Sequence, residues 1–321
     1  MDRSHSRLFG SIRALDKGSA LDTINRIGAF VRTRTHAGFA AEATALIWNP
    51  ALDDVAVLKG MIKLMNNSAG MATTATAAAT AVSPLSLRMR PATSFLAQPT
   101  SSPLAQPAKG RETSRLKDVQ HELSYIKKFA LTKKLFSYLD IGCSEGHITA
   151  AMVEAIGIPQ ERAHACDVVP QQPQAAFTFT LSNNTDLPYE SSSFDFITMF
   201  MSAHHFAEAG TMFRETRRVA RPGSILLIRE HDCTSESMHI FLDIVHALYS
   251  CVFGTEQTPE EFVALYAAGG YTHYRRKEDW VQLLDENGFE LLPGSPIHGP
   301  LIGSKYGNDR FNSFYALFRV K

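Results

Sequence analysis

Apolar positions follow three regimes along this chain of 321 residues. In residues 1–66 they recur at helical spacing: "ALDTINRIGAFVRTR" places Leu21, Ile24, Ile27 and Phe30 three apart, and "LKGMIKLM" repeats the pattern on a smaller scale. This region reads either as a small helical unit or as a loosely ordered segment, because a short isolated helix is marginal in water. From Asn67 to about Gly110 the periodicity is lost. The stretch is rich in Ala, Thr, Ser and Pro, and no acidic residue falls between Asp54 and Glu112. Such a composition buries no core and predicts a disordered linker over 67–111.

The third regime, residues 112–321, alternates strand-like and helix-like runs. A helical approach over 112–134 leads into the apolar strand "FSYLDIG", and helix "EGHITAAMVEAIG" follows. "RAHACDVV" reads as a short strand and "FDFITMFMS" as a buried one. "FAEAGTMFRETRRVA" is helical, with Phe206, Met212, Phe213 and Val219 on its apolar side. "RPG" ends it before strand "SILLIRE", and "NSFYALFRVK" adds a last strand with no helix after it. Strands alternating with helices predict an α/β fold, a mostly parallel sheet covered on both faces. Between the last two strands, "SMHIFLDIVHALYSCVF" carries Ile240, Phe241, Ile244, Val245, Leu248 and Val252 on a broad apolar face. It reads as a helical lid inserted over the ligand edge of the sheet.

Composition changes this picture little. Apolar residues make up 45% and charged residues 20%, with no net charge, so nothing pulls the chain generally towards nucleic acid. The four cysteines, Cys143, Cys166, Cys233 and Cys251, form no CxxC pair and read as reduced thiols of an intracellular protein. The start "MDRSHSRLFG" has no apolar signal core, and no run reaches the ~18 apolar residues of a membrane span. A cytoplasmic location is therefore expected, although residues 67–110 also have the composition of an organelle transit peptide.

Candidate chemistry gathers at "YLDIGCSEG", where strand gives way to helix. In an open parallel sheet ligands bind beyond the carboxyl ends of the strands. Gly142 and Gly146 permit a tight turn there, and the following helix aims its first amides at the same place. Asp140 ends the first strand, and Asp167 ends the next, where a carboxylate suits ribose hydroxyls. The spacing Gly142, Ser144, Gly146 departs from GxGxxG, so the loop is wrong for a dinucleotide pyrophosphate.

The ordered set "YLDIGCSEG", "ACDVV", "NNTDLPYESSSFDFITMFMSAHHF" and "RRVARPGSILLI" resembles the class I S-adenosylmethionine-dependent methyltransferases, particularly the small-molecule-type family. The resemblance implies a Rossmann-like sheet of seven strands with S-adenosylmethionine as cofactor. It implies that Asp140, Gly142, Cys143, Ser144 and Gly146 face the amino acid part. Asp167 and Val168 would lie at the ribose, Asn183 and Asn184 near adenine, and Met199 beside the cofactor. Ser144 replaces the usual middle glycine, and Asn183 stands where the family commonly has an acidic residue; its carbonyl can still accept from the adenine amino group.

On the acceptor side, "REHDCTSE" follows the strand "SILLI". It places Glu230, His231 and Asp232 at the ligand edge, with His231 the leading candidate base. His204 and His205 follow the preceding strand, and His246 lies on the insertion. No metal site is expected, since His239 and His246 alone supply too few ligands. The run Tyr271, His273, Tyr274, Arg275 and Arg276 mixes aromatics with cations, which suits stacking on a nucleotide or cap-like RNA. The arrangement "EHD…FLDIVHALY…YRRKEDW" also resembles, less specifically, methyltransferases of large DNA viruses and some RNA viruses. RNA and small molecules are thus both candidate acceptors. A methyltransferase-like module that binds without catalysis is the alternative.

Overall fold

The computed structural model describes residues 8–9, 12, 15–31, 39–69, 120–133, 136–171, 175–183, 185–248, 250–251, 258–267, 272–292 and 313–321. The linker read over 67–111 lies almost wholly outside these residues, as do Asn184, Val252 and Tyr271. The chain divides into two compact units, residues 1–102 with 235–270 and residues 103–234 with 271–321. The division differs from the sequence expectation of one continuous domain over 112–321, because the insertion clusters with the N-terminal helices.

The helical unit contains α1 (Lys17–Val31), α2 (Phe39–Trp48) and α3 (Asp54–Ala69) from the N-terminal region. The helix Glu236–Leu248 and the helix Pro259–Ala267 complete it. Its helix starts are chemically specified. The Asp16 carboxylate accepts the Gly18 and Ser19 amides ahead of α1, and Asp53 accepts that of Ala56 in α3. Thr258 and Glu261 exchange hydrogen bonds as a capping box. Helix 236–248 buries residues around most of its circumference, including Ile240, Phe241, Ile244 and Leu248. It therefore needs apolar partners on more than one side. Helix α1 is one neighbour: Thr23 lies at hydrogen-bond distance from the Ser237 carbonyl, and Ile27 is buried. Among the described residues no helix is long and apolar enough to cross a membrane.

The second unit is a seven-stranded sheet in the order β3-β2-β1-β4-β5-β7-β6. Its strands are β1 (Tyr138–Ile141), β2 (Ala163–Asp167), β3 (Thr178–Leu181), β4 (Phe194–Phe200), β5 (Ala220–His231), β6 (Phe289–Leu291) and β7 (Ser313–Val320). The first five are parallel and β7 is antiparallel to both its neighbours. Two of them, β3 and β6, are short edge strands of four and three residues beyond those expected above. The "RPG" segment belongs to β5 as an irregularity: Ala220 pairs with Phe194, the register then jumps, and Ile225 pairs with Phe196.

Strand alternation splits the core into two layers. Leu139, Ile197, Met199, Leu226 and Ile228 pack with Phe213 and Trp280 on one face. Tyr138, Phe196, Ile225 and Leu227 pack with Ile126, Met152 and Val153 on the other. The unit's helices are Gln120–Leu131, His147–Ile156, Ala209–Val219 and Lys277–Glu286. At the amino edge, the Asp195 carboxylate accepts from the Ser137 amide and hydroxyl and pairs with Arg221. Asp195 thus anchors the strand start, at the end of β4 opposite the ligand edge.

Candidate active site

The turn after β1 is built on backbone conformations that favour glycine. Gly142 and Gly146 have φ of +76° and +75°, and Ser144 lies between them at φ 50°. Each glycine also meets a close side chain. A Cβ on Gly142 would lie 2.5 Å from Cβ of Ser202, and one on Gly146 would lie 2.4 Å from Cζ of Phe177. Neither Ser202 nor Phe177 stood out in the sequence, since each becomes a neighbour only through the tertiary fold. No side chain caps helix His147–Ile156, whose N-cap is Gly146. Its first-turn amides have no intrahelical acceptors and suit an anionic group.

Asp167 ends β2 as expected, half-buried, and it holds the turn as well as lining the edge. Its Oδ2 accepts the Ser144 amide at 2.8 Å and its Oδ1 the Val169 amide at 3.1 Å. Burial raises its carboxyl above the usual range, and the amides of Ser144, Val169 and Val168 oppose that rise. Val168 is half-buried beside it.

Three cofactor assignments are corrected by the structure. Asp140 is 3% exposed, and both its oxygens are engaged by side chains within the protein. It accepts from Thr198 Oγ1 at 2.6 Å and from Thr149 Oγ1, while Tyr138 Oη lies 2.7 Å from Thr198 Oγ1. Thr198 donates its one proton to Asp140, so Tyr138 donates to Thr198. The second correction is Met199, whose side chain is fully buried in the core layer with Ile141 and Ile228. The third is Asn183. Its carbonyl oxygen accepts from the Thr185 and Asp186 amides and the Thr185 hydroxyl, so turn formation uses the atom expected to read adenine. Cys143 is buried, with its thiol pushed up by burial, and its amide donates to the Cys166 carbonyl. It acts through its backbone in the turn.

The acceptor side is organised by Glu230, which is fully buried at the carboxyl end of β5. Its Oε2 lies 2.7 Å from Nδ1 of His204 and 3.2 Å from the His231 amide. Its Oε1 takes the Ala203 amide at 2.7 Å. The Ala203 and His231 amides donate to it, while the His204 ring nitrogen can take either role. Burial raises the Glu230 carboxyl, with His231 and the amides of His231 and Ala203 among the groups opposing. His204 is held well below its ordinary value, first by burial and then by His205 and His273. Burial thus favours its neutral imidazole, with Nδ1 at hydrogen-bond distance from Glu230.

His204 and His231 thus both stand beside Glu230. His231 is 3% exposed, its ring 5.2 Å from that of His204 and 5.5 Å from that of Tyr274. Tyr274 lies 5.1 Å from His204, and the His273 amide donates to the His204 carbonyl. Asp232 accepts the Lys277 amide at the start of helix 277–286, an N-terminal cap. His246 belongs to the helical unit, where its Nδ1 donates to the Leu242 carbonyl.

A glycine turn after β1, a carboxylate ending β2 and a histidine–carboxylate pair following β4 and ending β5 gather at the carboxyl edge of the parallel strands. Residues 139–228 match the family model described as a methyltransferase domain. This part of the sheet unit is thus similar to a methyltransferase domain, and S-adenosylmethionine is the cofactor that the likeness implies. The chain is also similar to the uncharacterized protein YafE of Escherichia coli (strain K12), 29% identical over 85 residues. That match covers 25% of this chain and 41% of YafE, so the chain spans about two fifths of the relative's length. Two solved structures are similar to the chain at low identity. One is a putative S-adenosylmethionine-dependent methyltransferase from Listeria monocytogenes (12% identity, 67% of this chain and 100% of that one, TM-score 0.43). The other is the Haloferax volcanii putative methyltransferase complexed with its activator Trm112 (13%, 66% and 95%, TM-score 0.42).

The residues present fit this cofactor. Asp167 keeps acceptor capacity on both oxygens for a ribose diol, because each takes one amide in the structure. The uncapped helix start suits the cofactor carboxylate.

Proposed function

We propose that this chain catalyses methyl transfer to a small molecule whose accepting atom carries a proton. The observation that carries this reading is the 2.7 Å contact between His204 Nδ1 and Glu230 Oε2 at the ligand edge. When bound, S-adenosylmethionine supplies the electrophilic methyl group. Asp167 and the turn from Gly142 to Gly146 would hold it. Glu230 keeps His204 in the tautomer with its proton on Nδ1, which leaves Nε2 to take the acceptor's proton as the new bond to methyl forms. Glu230 then stabilises the imidazolium, which releases the proton to solvent after product leaves.

We favour a small molecule over RNA because the aromatic and basic run turns inward. Tyr274 packs on His204 and His231, and the Arg275 guanidinium lies 5.5 Å from the Trp280 ring centre. Neither is spread as a stacking surface for bases. Calorimetric binding of S-adenosylhomocysteine, followed by transfer of labelled methyl from S-adenosylmethionine into small-molecule, RNA and protein fractions of a lysate, tests the proposal. Label in the small-molecule fraction is the expected result. Label only in RNA would replace the acceptor class. Binding with no transfer to any fraction would leave a module that binds without catalysis.

A further inference from the structure

Arg229 is placed unlike the other residues at the end of β5. It is half-buried between the buried neighbours Ile228 and Glu230. Among the described residues no carboxylate pairs with it. Its Nη2 donates to the Ser313 hydroxyl at 2.9 Å, and its guanidinium carbon sits 5.4 Å from the Tyr315 ring centre. Tyr315 in turn meets Phe200 edge-on at 6.1 Å. The Arg229 Nε has no solvent exposure and no hydrogen-bond partner.

A buried charged donor without an acceptor is unfavourable, and folding alone gives no reason to keep it. β7 fixes this guanidinium by one hydrogen bond and one aromatic face while leaving donors unused. Its place is the carboxyl end of β5, two residues before His231. That is the sheet edge where ligands of such folds bind.

We infer that Arg229 is a binding residue for an anionic group, a carboxylate or phosphate monoester, carried by the methyl acceptor. The guanidinium offers its remaining Nη hydrogens in one plane, which matches either oxyanion in two-point contact. Phe200 and Tyr315 beside it suit an apolar or aromatic body next to the charge. This inference rests on the methyltransferase reading only in calling the ligand an acceptor.

The test is calorimetric titration of the full chain, saturated with S-adenosylhomocysteine, with benzoate, phenyl phosphate and benzamide. One or both anions should bind and the neutral amide should not. Arg229→Gln should weaken anion binding by about tenfold or more, as expected for loss of a charge-assisted contact, and should leave S-adenosylhomocysteine affinity within about twofold. A preference between the two anions assigns the oxyanion. If Arg229→Gln does not fold, Arg229→Lys carries the test, since it keeps the charge and loses the planar donors. Absence of anion binding, equal binding of benzamide, or unchanged anion affinity in the folded variants would each overturn the inference. Arg229-dependent anion binding without S-adenosylhomocysteine binding would support the site and overturn the methyltransferase reading.

Discussion

Ser144 donates its backbone amide to Oδ2 of Asp167 at 2.8 Å, across 23 residues of sequence. The contact joins the middle of the glycine turn to the carboxylate at the end of the neighbouring strand. Asp167 therefore sets the turn, and under the proposed function it also binds the ribose. Asp167→Ala should lower S-adenosylhomocysteine affinity by about 10–100-fold, roughly the worth of a charge-assisted hydrogen bond. It should also lower the melting temperature of the free protein. A calorimetric Kd and a melting curve on the same variant check both effects.

Thr198→Val tests the buried chain Tyr138–Thr198–Asp140–Thr149. The substitution keeps shape but leaves the Tyr138 hydroxyl without its acceptor and removes one donor from Asp140. Stability should fall by about 1–3 kcal/mol, the usual penalty for an unsatisfied buried polar group. Denaturant unfolding measures it. The pair Thr198→Val and Asp140→Asn should be non-additive, because both remove the same contact.

Gly142→Ala combines a φ of +76° with a Cβ only 2.5 Å from Cβ of Ser202. Both faults lie in the turn, so the variant should lose both stability and cofactor binding. Adding Ser202→Gly relieves the clash and leaves the backbone strain, so partial recovery of the melting temperature is expected. Full recovery would mean that φ contributes nothing.

His204→Gln should lower methyl transfer by about 10²–10⁴-fold, the range for general-base catalysis. Cofactor affinity should change little. Glu230→Gln should also lower transfer, since a neutral amide neither fixes the tautomer nor stabilises the imidazolium. Rate and Kd measured on the same preparations separate these effects from unfolding.

The pH dependence follows from the depressed pKa of His204, whose unfolded value is 6.5. The folded state resists protonation while the unfolded state accepts it, so His204's contribution is present above pH 6.5 and lost as the pH falls through its folded value. Glu230 acts with opposite sign. Its folded pKa is raised above 4.5, so its contribution is present in acid and lost as the pH rises through the folded value. Replacing His204 by Gln should flatten the decline in melting temperature below pH 6.5. The acid limb of the transfer rate should also lie below pH 6.5, where His204 would first become protonated.

Legibility varied from residue to residue. The turn at Gly142 and Gly146 was readable because glycine placement is a local signal. Asp167 was readable because it closes a strand at a fixed distance from that turn. Asp140 was misread because its spacing is the same whether the carboxylate faces a ligand or two threonines. Asn183 was misread because the turn that occupies its carbonyl forms with Thr185 and Asp186, which show no such signal. His231 was ranked above His204 because sequence order places both at strand ends and cannot say which one meets Glu230.

By itself, the sequence determined the parallel core of the sheet and the glycine turn after β1. Those features rest on contacts within a strand–turn–helix unit, and period-two burial and glycine conformation are written locally. Only the tertiary structure decided the partner of each buried charge. It paired Glu230 with His204, enclosed Asp140 between Thr149 and Thr198, and among the described residues gave Arg229 no carboxylate partner. It also grouped residues 235–270 with the N-terminal helices. Helix 236–248 is apolar around most of its circumference, and a pattern without one clear polar face does not name the surface that covers it.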